Sequence, residues 1–323
     1  VSFDQLWLKL ESLGLVDEKH FQSILNTGMY KYCPDTMNVT QAQHEALTSI
    51  IHTIDSGETF PHIGQGFLAR PILIEGDAGT GKTVVATTLF YYLKTHPKYK
   101  SLKIGLVYSN PAMRNVIQQV FAHTPGLRKT DVIAPIDVTK HHYDIIICDE
   151  AQRLRQAKNI GRYIVHFKKG NERLHLDNSH DELDWLLLNA GRLILFYDPK
   201  QIVCPSDISQ TKFDGRLKDR KRGIRPVELK EQMRIHAGSQ YVPYIYDILF
   251  QRNNISKKFV NYDFKLFSSF QDMWNALEEK EAAVKLCRFC SGYGWPWVSK
   301  EDSKKPDIQL EGREIWWNRQ TDG

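Results

Sequence analysis

The stretch Pro71-Ile72-Leu73-Ile74-Glu75-Gly76-Asp77-Ala78-Gly79-Thr80-Gly81-Lys82-Thr83-Val84 decides the fold. Its first five residues form a short apolar run suited to a buried parallel strand, and Val84 to Leu93 suits a helix. Between them, residues 76–83 fit G-x-x-x-x-G-K-[ST], the phosphate-binding loop, in the strand–loop–helix context the motif requires. Glycines let backbone N–H groups curl around phosphate oxygens without Cβ clashes. The helix N-terminus adds its partial positive charge. Gly76, Ala78, Gly79, Thr80, Gly81, Lys82 and Thr83 are the expected nucleotide contacts. Lys82 is expected to reach the β- and γ-phosphates, and Thr83 to hold Mg²⁺.

A second segment supplies reaction chemistry. Asp144-Ile145-Ile146-Ile147-Cys148-Asp149-Glu150-Ala151-Gln152 reads as a buried strand with two carboxylates at its end. Asp149 is the expected Mg²⁺ anchor. Glu150 is the expected base that takes a proton from an attacking water. Tyr197-Asp198-Pro199-Lys200-Gln201 ends another strand, and Gln201 suits orientation of that water or sensing of its hydrolysis product. In Leu229-Lys230-Glu231-Gln232-Met233-Arg234, the planar guanidinium of Arg234 could stabilise charge on a transferring phosphoryl group. Gln43, upstream of the glycine loop, carries an amide able to pair with an adenine edge; a polar helix surface explains it equally well.

Strand candidates at 71–75, 104–108, 143–148 and 192–197 alternate with helical stretches at 38–54, 84–93 and 112–121. That alternation implies βαβ units and a parallel sheet, with ligands at the C-terminal strand edge. Residues 1–36 look helical and amphipathic. The basic, strand-poor stretch 211–226 marks a boundary, and a second unit follows with a helix at 239–250, a strand at 264–267 and a helix at 270–280. The division expected is therefore an N-terminal helical segment 1–36, a P-loop lobe 37–222 and a second unit 223–323.

A net charge of +5 permits a polyanionic partner without requiring one. No apolar run has transmembrane length. Five scattered cysteines fit a reducing, cytoplasmic setting better than a disulfide framework, and the lone Cys287-x-x-Cys290 pair reads as ordinary thiols. Trp295, Trp297, Trp316 and Trp317 could stack on bases; core packing is the favoured reading. The basic run 216–225 could meet phosphates or be a solvated loop.

In this order the segments resemble superfamily 1 helicases. Gln43 falls at the adenine-reading glutamine of their Q motif, Gly76–Thr83 match motif I, and Ser109-Asn110-Pro111 resembles motif Ia, which touches single-stranded nucleic acid. Asp149-Glu150-Ala151-Gln152 match motif II, Asp198–Gln201 resembles motif III, and Gln232-Met233-Arg234 resembles motif IV. The closer resemblance is to the Schlafen-type helicase domain, over roughly residues 37–320. It is carried by Phe196–Gln201, by Leu229–Arg234 with Gly238-Ser239-Gln240-Tyr241, and by Gly292-Tyr293-Gly294-Trp295-Pro296-Trp297 with Trp317-Asn318. The resemblance implies a RecA-like first lobe followed by part of a second, ATP and Mg²⁺ as cofactors, and single-stranded DNA or RNA as partner. Superfamily 1 members carry motifs V and VI in the second lobe. None follows Asn318, so that lobe is expected to be incomplete here.

Two functions of different class fit. One is the ATP-hydrolysing core of a helicase or translocase. The other is a nucleotide-gated module that binds nucleic acid or a partner protein, for example in defence against foreign genetic elements, with little unwinding. A small-molecule P-loop kinase fits less well, because of the Asp-Glu-Ala-Gln box and Gln201.

Overall fold

The four apolar runs are strands of one parallel sheet. The computed structural model describes residues 32–34, 39–56, 71–217, 227–232, 235, 237–238, 240–252, 257–260, 262–285, 287–292 and 294–317. In chain order the elements are α1 (Gln41–Asp55), β1 (Pro71–Gly76), α2 (Lys82–Thr95), β2 (Ile104–Tyr108), α3 (Pro111–His123), β3 (Val132–Ile133), α4 (Pro135–Val138), β4 (Tyr143–Asp149), α5 (Ile164–Arg173), α6 (Glu182–Asn189), β5 (Ala190–Tyr197), α7 (Gln210–Leu217), β6 (Val227–Leu229), α8 (Tyr241–Leu249), α9 (Phe270–Val284), β7 (Ile308–Leu310) and β8 (Arg313–Ile315). The helix expected within residues 1–36 lies outside the described residues, apart from 32–34.

Strands β1 to β6 form a six-stranded sheet in the order β3-β2-β4-β5-β1-β6, parallel throughout. Side chains alternate between its faces as the pleat requires. Ile145, Ile147, Ile194 and Phe196 enter one apolar layer with Ile50 of α1, Leu89, Phe90 and Leu93 of α2, and Phe121 of α3. Ile146, Cys148, Leu193, Leu195 and Tyr197 enter the other with Phe167 of α5, Leu183, Trp185 and Leu186 of α6, and Phe213 of α7. Burial on both faces explains why these strands read as continuous apolar runs.

Local sequence starts the helices. Thr40 and Gln43 form a reciprocal capping box at α1. Asn110 caps α3 with Pro111 in its first turn, so the Ser109-Asn110-Pro111 segment serves as a helix start. The Asp181 carboxylate accepts from the N–H groups of Leu183 and Asp184 to cap α6.

By packing, the chain divides into Val1–Asn253 and Asn254–Gly323. The first unit includes β6, which pairs with β1, although the sequence reading places 227–229 beyond a boundary at 222. In the second unit, β7 and β8 form an antiparallel hairpin. Glu311 of its turn accepts from the N–H groups of Phe270 and Gln271 at the start of α9, a favourable site for a carboxylate. Two expectations fail here. Residues 264–267 are not a strand: Leu266 is 76% exposed, and no neighbouring strand among the described residues receives their backbone groups. The four tail tryptophans do not form a core: Trp295, Trp316 and Trp317 are half-buried and Trp297 is exposed. Among the described residues this unit has one helix and a two-stranded hairpin, which do not make two layers around four indoles.

Candidate functional site

Strand order decides which loops meet. β1, β5 and β4 are consecutive neighbours in the sheet, so the loops leaving their C-terminal ends converge although they are far apart in sequence. Gly79 and Gly81 both have positive φ (86° and 85°), which turns the 76–82 loop back over the start of α2. A Cβ on Gly81 would collide with the Gln43 amide, and one on Gly79 with the Gln232 amide. α2 begins with no side-chain cap and no acidic residue in its first turn. Its N–H groups are therefore left for an anion.

Lys82 lies inside this cradle and is 5% exposed. Its Nζ donates to the carbonyls of Gly76 (2.6 Å) and Asp77 (3.0 Å) and stands 3.7 Å from Asp198 Oδ2. Thr80 Oγ1 donates to the Asp77 carbonyl. Thr83 Oγ1 donates to Asp149 Oδ2 at 2.6 Å across 66 residues of sequence. Asp149 is fully buried and also accepts from the N–H of Glu150. Burial raises its carboxyl above the ordinary range, with the Thr83 hydrogen bond opposing. Burial, then the neighbouring Asp149 charge, raises Glu150 as well, with Lys82 opposing. Glu150 has left-handed backbone (φ 55°), which turns the chain sharply at the acidic pair. A half-buried hydroxyl and a buried carboxylate in contact, beside a phosphate cradle, are the donor set that suits Mg²⁺, with water and phosphate oxygens for the rest of its shell.

Two residues outside the expected set tie the loops together. Gln152, fully buried, donates from Nε2 to Glu150 Oε2 (2.5 Å) and accepts at Oε1 from the N–H of Asp198 (3.1 Å). Asp198, 1% exposed, accepts from Gln201 Nε2 at 2.6 Å and from the N–H of Lys200. Gln201 thus joins the same network through Asp198. Lys200 reaches back to the glycine loop, donating to Asp77 Oδ1 at 2.7 Å and lying over the Tyr246 ring of α8. Gln232 donates to the Ala78 carbonyl at 2.7 Å. A cleft of about 390 Å³ adjoins the cradle, walled by Gly76, Asp77, Asp198, Lys200, Leu229 and Gln232 among others.

The structure therefore gathers Gly76, Ala78, Gly79, Thr80, Gly81, Lys82, Thr83, Asp149, Glu150 and Gln201 at one sheet edge. Gln43 is not a surface residue: it is buried, its Oε1 accepts from the N–H of Thr40, and its amide abuts Gly81. Arg234 lies outside the described residues. The sequence cues for Asp198 are that, like Asp149, it ends an apolar strand and that it opens the segment resembling motif III. The cross-loop bonds of Gln152 span 46 residues and leave no local signature.

A glycine loop feeding a helix, with acidic strand ends beside it on a parallel sheet, defines the P-loop class with a helicase-like core. Residues 70–322 match the family described as Schlafen group 3, DNA/RNA helicase domain. The chain belongs to that family. It is 25% identical over 285 residues to the uncharacterized protein YPL245W of Saccharomyces cerevisiae, an alignment covering 77% of this chain and 60% of that protein. The chain thus spans about three fifths of that relative's length. Among solved structures, Pif1 helicase from Candida albicans is 12% identical, with 77% of this chain and 56% of that one covered and a TM-score of 0.35. AMPPCP-bound DnaA from Aquifex aeolicus is 16% identical, with 79% and 65% covered and a TM-score of 0.31. Likenesses this partial carry no weight for function. No described helix is long and apolar enough to cross a membrane.

Proposed function

We propose that this domain binds ATP with Mg²⁺ and hydrolyses it to drive movement along single-stranded DNA or RNA, as the ATPase core of a helicase or translocase. The observation that carries the reading is the 2.6 Å contact between Thr83 and buried Asp149 beside Lys82. It brings a metal-type donor pair to a loop built for phosphates.

In this reading the loop N–H groups from Gly76 to Gly81 cradle the phosphates, and Lys82 leaves the carbonyls of Gly76 and Asp77 to meet the β- and γ-oxygens. Thr83 and Asp149 hold Mg²⁺, which supplies neutralisation of the phosphate charge. Glu150 accepts the proton of the attacking water, oriented by Gln152 through their hydrogen bond. The raised pKa of Glu150 makes it a stronger base once ionised. Gln201 and Asp198 report the state of the γ-phosphate to the loop after β5. Arg234 adds a cation to the developing charge, and Gln43 favours adenine. The test is steady-state ATP hydrolysis with and without single-stranded DNA or RNA, on a chain that includes all of residues 1–323. Stimulation of at least several-fold is expected. Hydrolysis indifferent to both polymers would contradict the motor reading and leave a nucleotide-gated binding module.

A further inference from the structure

The chain that leaves the acidic pair runs directly into a strongly cationic stretch. Residues 153–173 contain seven Lys or Arg and one acidic residue, an excess larger than the +5 of the whole chain. A short turn at Gly161–Tyr163 continues into α5. The rotation of α5 is fixed by its buried face. Phe167 packs on Trp185 with ring centroids 5.0 Å apart. Asn171 Oδ1 accepts the Trp185 indole N–H at 2.6 Å, and a Cβ on Gly170 would press on the same ring.

With those positions inward, Arg162, His166, Lys169 and Arg173 fall on one outer stripe, at intervals of four, three and four residues, and exposed Glu172 and Lys168 lie further round the same helix. At 1.5 Å rise per residue the stripe is about 16 Å long. All four stripe side chains are exposed. Some exposed cations of the same unit are matched, Lys98 with Asp55, Lys140 with Asp137 and Lys200 with Asp77, while others, Lys100 and Lys129 among them, stand singly. Arg162, Lys168 and Lys169 have no ion-pair partner among the described residues. Lys169 and Arg173, one helical turn apart, repel, and Glu172 is the one acidic residue of α5 against Lys168, Lys169 and Arg173.

We propose that this stripe binds the phosphate backbone of single-stranded nucleic acid. The inference rests on the nucleic-acid reading above and adds a location and a mode. Flexible lysines and an arginine fork match a row of phosphates. Among the described residues of this stripe no Phe, Tyr or Trp is exposed, Tyr163 beside it being half-buried, so contact is expected to be indifferent to sequence. The placement also has a consequence for coupling. The stripe and the Asp149-Glu150 pair lie on one continuous segment, and that segment is held by Glu182, which accepts from the N–H of Arg155 and the hydroxyl of Tyr163. A strand gripped at α5 pulls on the segment that carries the base.

The test is fluorescence anisotropy of labelled oligo(dT) and oligo(U) between 50 and 200 mM salt, for the full chain and its Arg162→Ala/Lys168→Ala/Lys169→Ala variant. Loss of three phosphate contacts should lower the slope of log K against log salt by about 2. Affinity at low salt should fall at least tenfold, with unchanged ATP affinity and thermal midpoint. A control variant, Lys140→Ala, should bind as the parent does. If the parent binds and the triple variant keeps the same slope, the stripe is not the contact, while the nucleic-acid reading stands. If the parent binds neither oligonucleotide, both fall. If the triple variant keeps its oligonucleotides but loses adsorption to phosphatidylserine vesicles, the surface serves a membrane and the proposal is overturned.

Discussion

Residues up to Asn253 and residues from Asn254 onward both carry aromatic side chains, but they use them differently. In the first unit Trp185, Phe90, Phe121, Phe167 and Phe196 are almost wholly buried between a sheet and its helices. In the second, Trp297 is 39% exposed and Phe267 is 42% exposed, and the Phe270–Trp274–Phe289 cluster packs beside a single helix. The difference lies in what surrounds the rings. A six-stranded parallel sheet buries both of its faces and can specify a site to within tenths of an ångström. A helix and a two-stranded hairpin cannot enclose rings of that size. Aromatic content therefore predicts a core only where the topology supplies two layers to hold it.

The sharpest way to break this contrast is to remove Trp185. It fills the layer under α5 and α6, and its indole N–H satisfies Asn171. Trp185→Ala is expected to cost about 3–5 kcal/mol of unfolding free energy, read from urea midpoints. A loss below about 1 kcal/mol would mean that the layer does not hold the sheet.

A smaller effect should come from Glu182, the buried carboxyl in the same layer. Burial pushes it up to about 7 from an ordinary 4.5, against the stabilising hydrogen bonds from Arg155 and Tyr163. Because the folded state holds this proton more tightly than the unfolded one, stability falls as pH rises from about 4.5 to about 7, then levels. The loss is on the order of 2–3 kcal/mol. Glu182→Gln lacks the titration, so it should gain on the parent as pH rises from 5 to 7.5 in paired urea curves. Parallel pH profiles for the two chains would refute the assignment. Smallest of all, Trp297→Ala in the second unit should shift unfolding by no more than about 0.5 kcal/mol. A loss comparable to Trp185→Ala would erase the contrast between the units.

The same distinction explains what could be read from sequence. The glycine loop, the Asp149-Glu150 strand end and the strands at 71, 104, 143 and 192 announce themselves, because each is a local pattern with one physical cause. β6 has only three residues and is a strand only because β1 lies beside it. Gln43 reads equally as an adenine contact or as surface polarity; Thr40-x-x-Gln43 has the spacing of a capping box, but nothing local shows that its amide abuts Gly81. Gln152 and Asp198 fall in segments that resemble motifs, but their bond to each other spans 46 residues across the sheet edge, where spacing along the chain carries no information. The cationic character of α5 is visible as composition, but its one-sidedness depends on Phe167, Gly170 and Asn171 finding Trp185.

The claim on which the account turns is that Glu150, held by Gln152 at the end of β4, is the base in a P-loop ATPase. Single-turnover ATP hydrolysis with Mg²⁺, run alongside ATP-binding titrations for the parent and Glu150→Gln, tests it directly. The account predicts near-parental ATP affinity and a rate lowered by about 10²–10⁴-fold. A variant that binds ATP and hydrolyses it at the parental rate would contradict it.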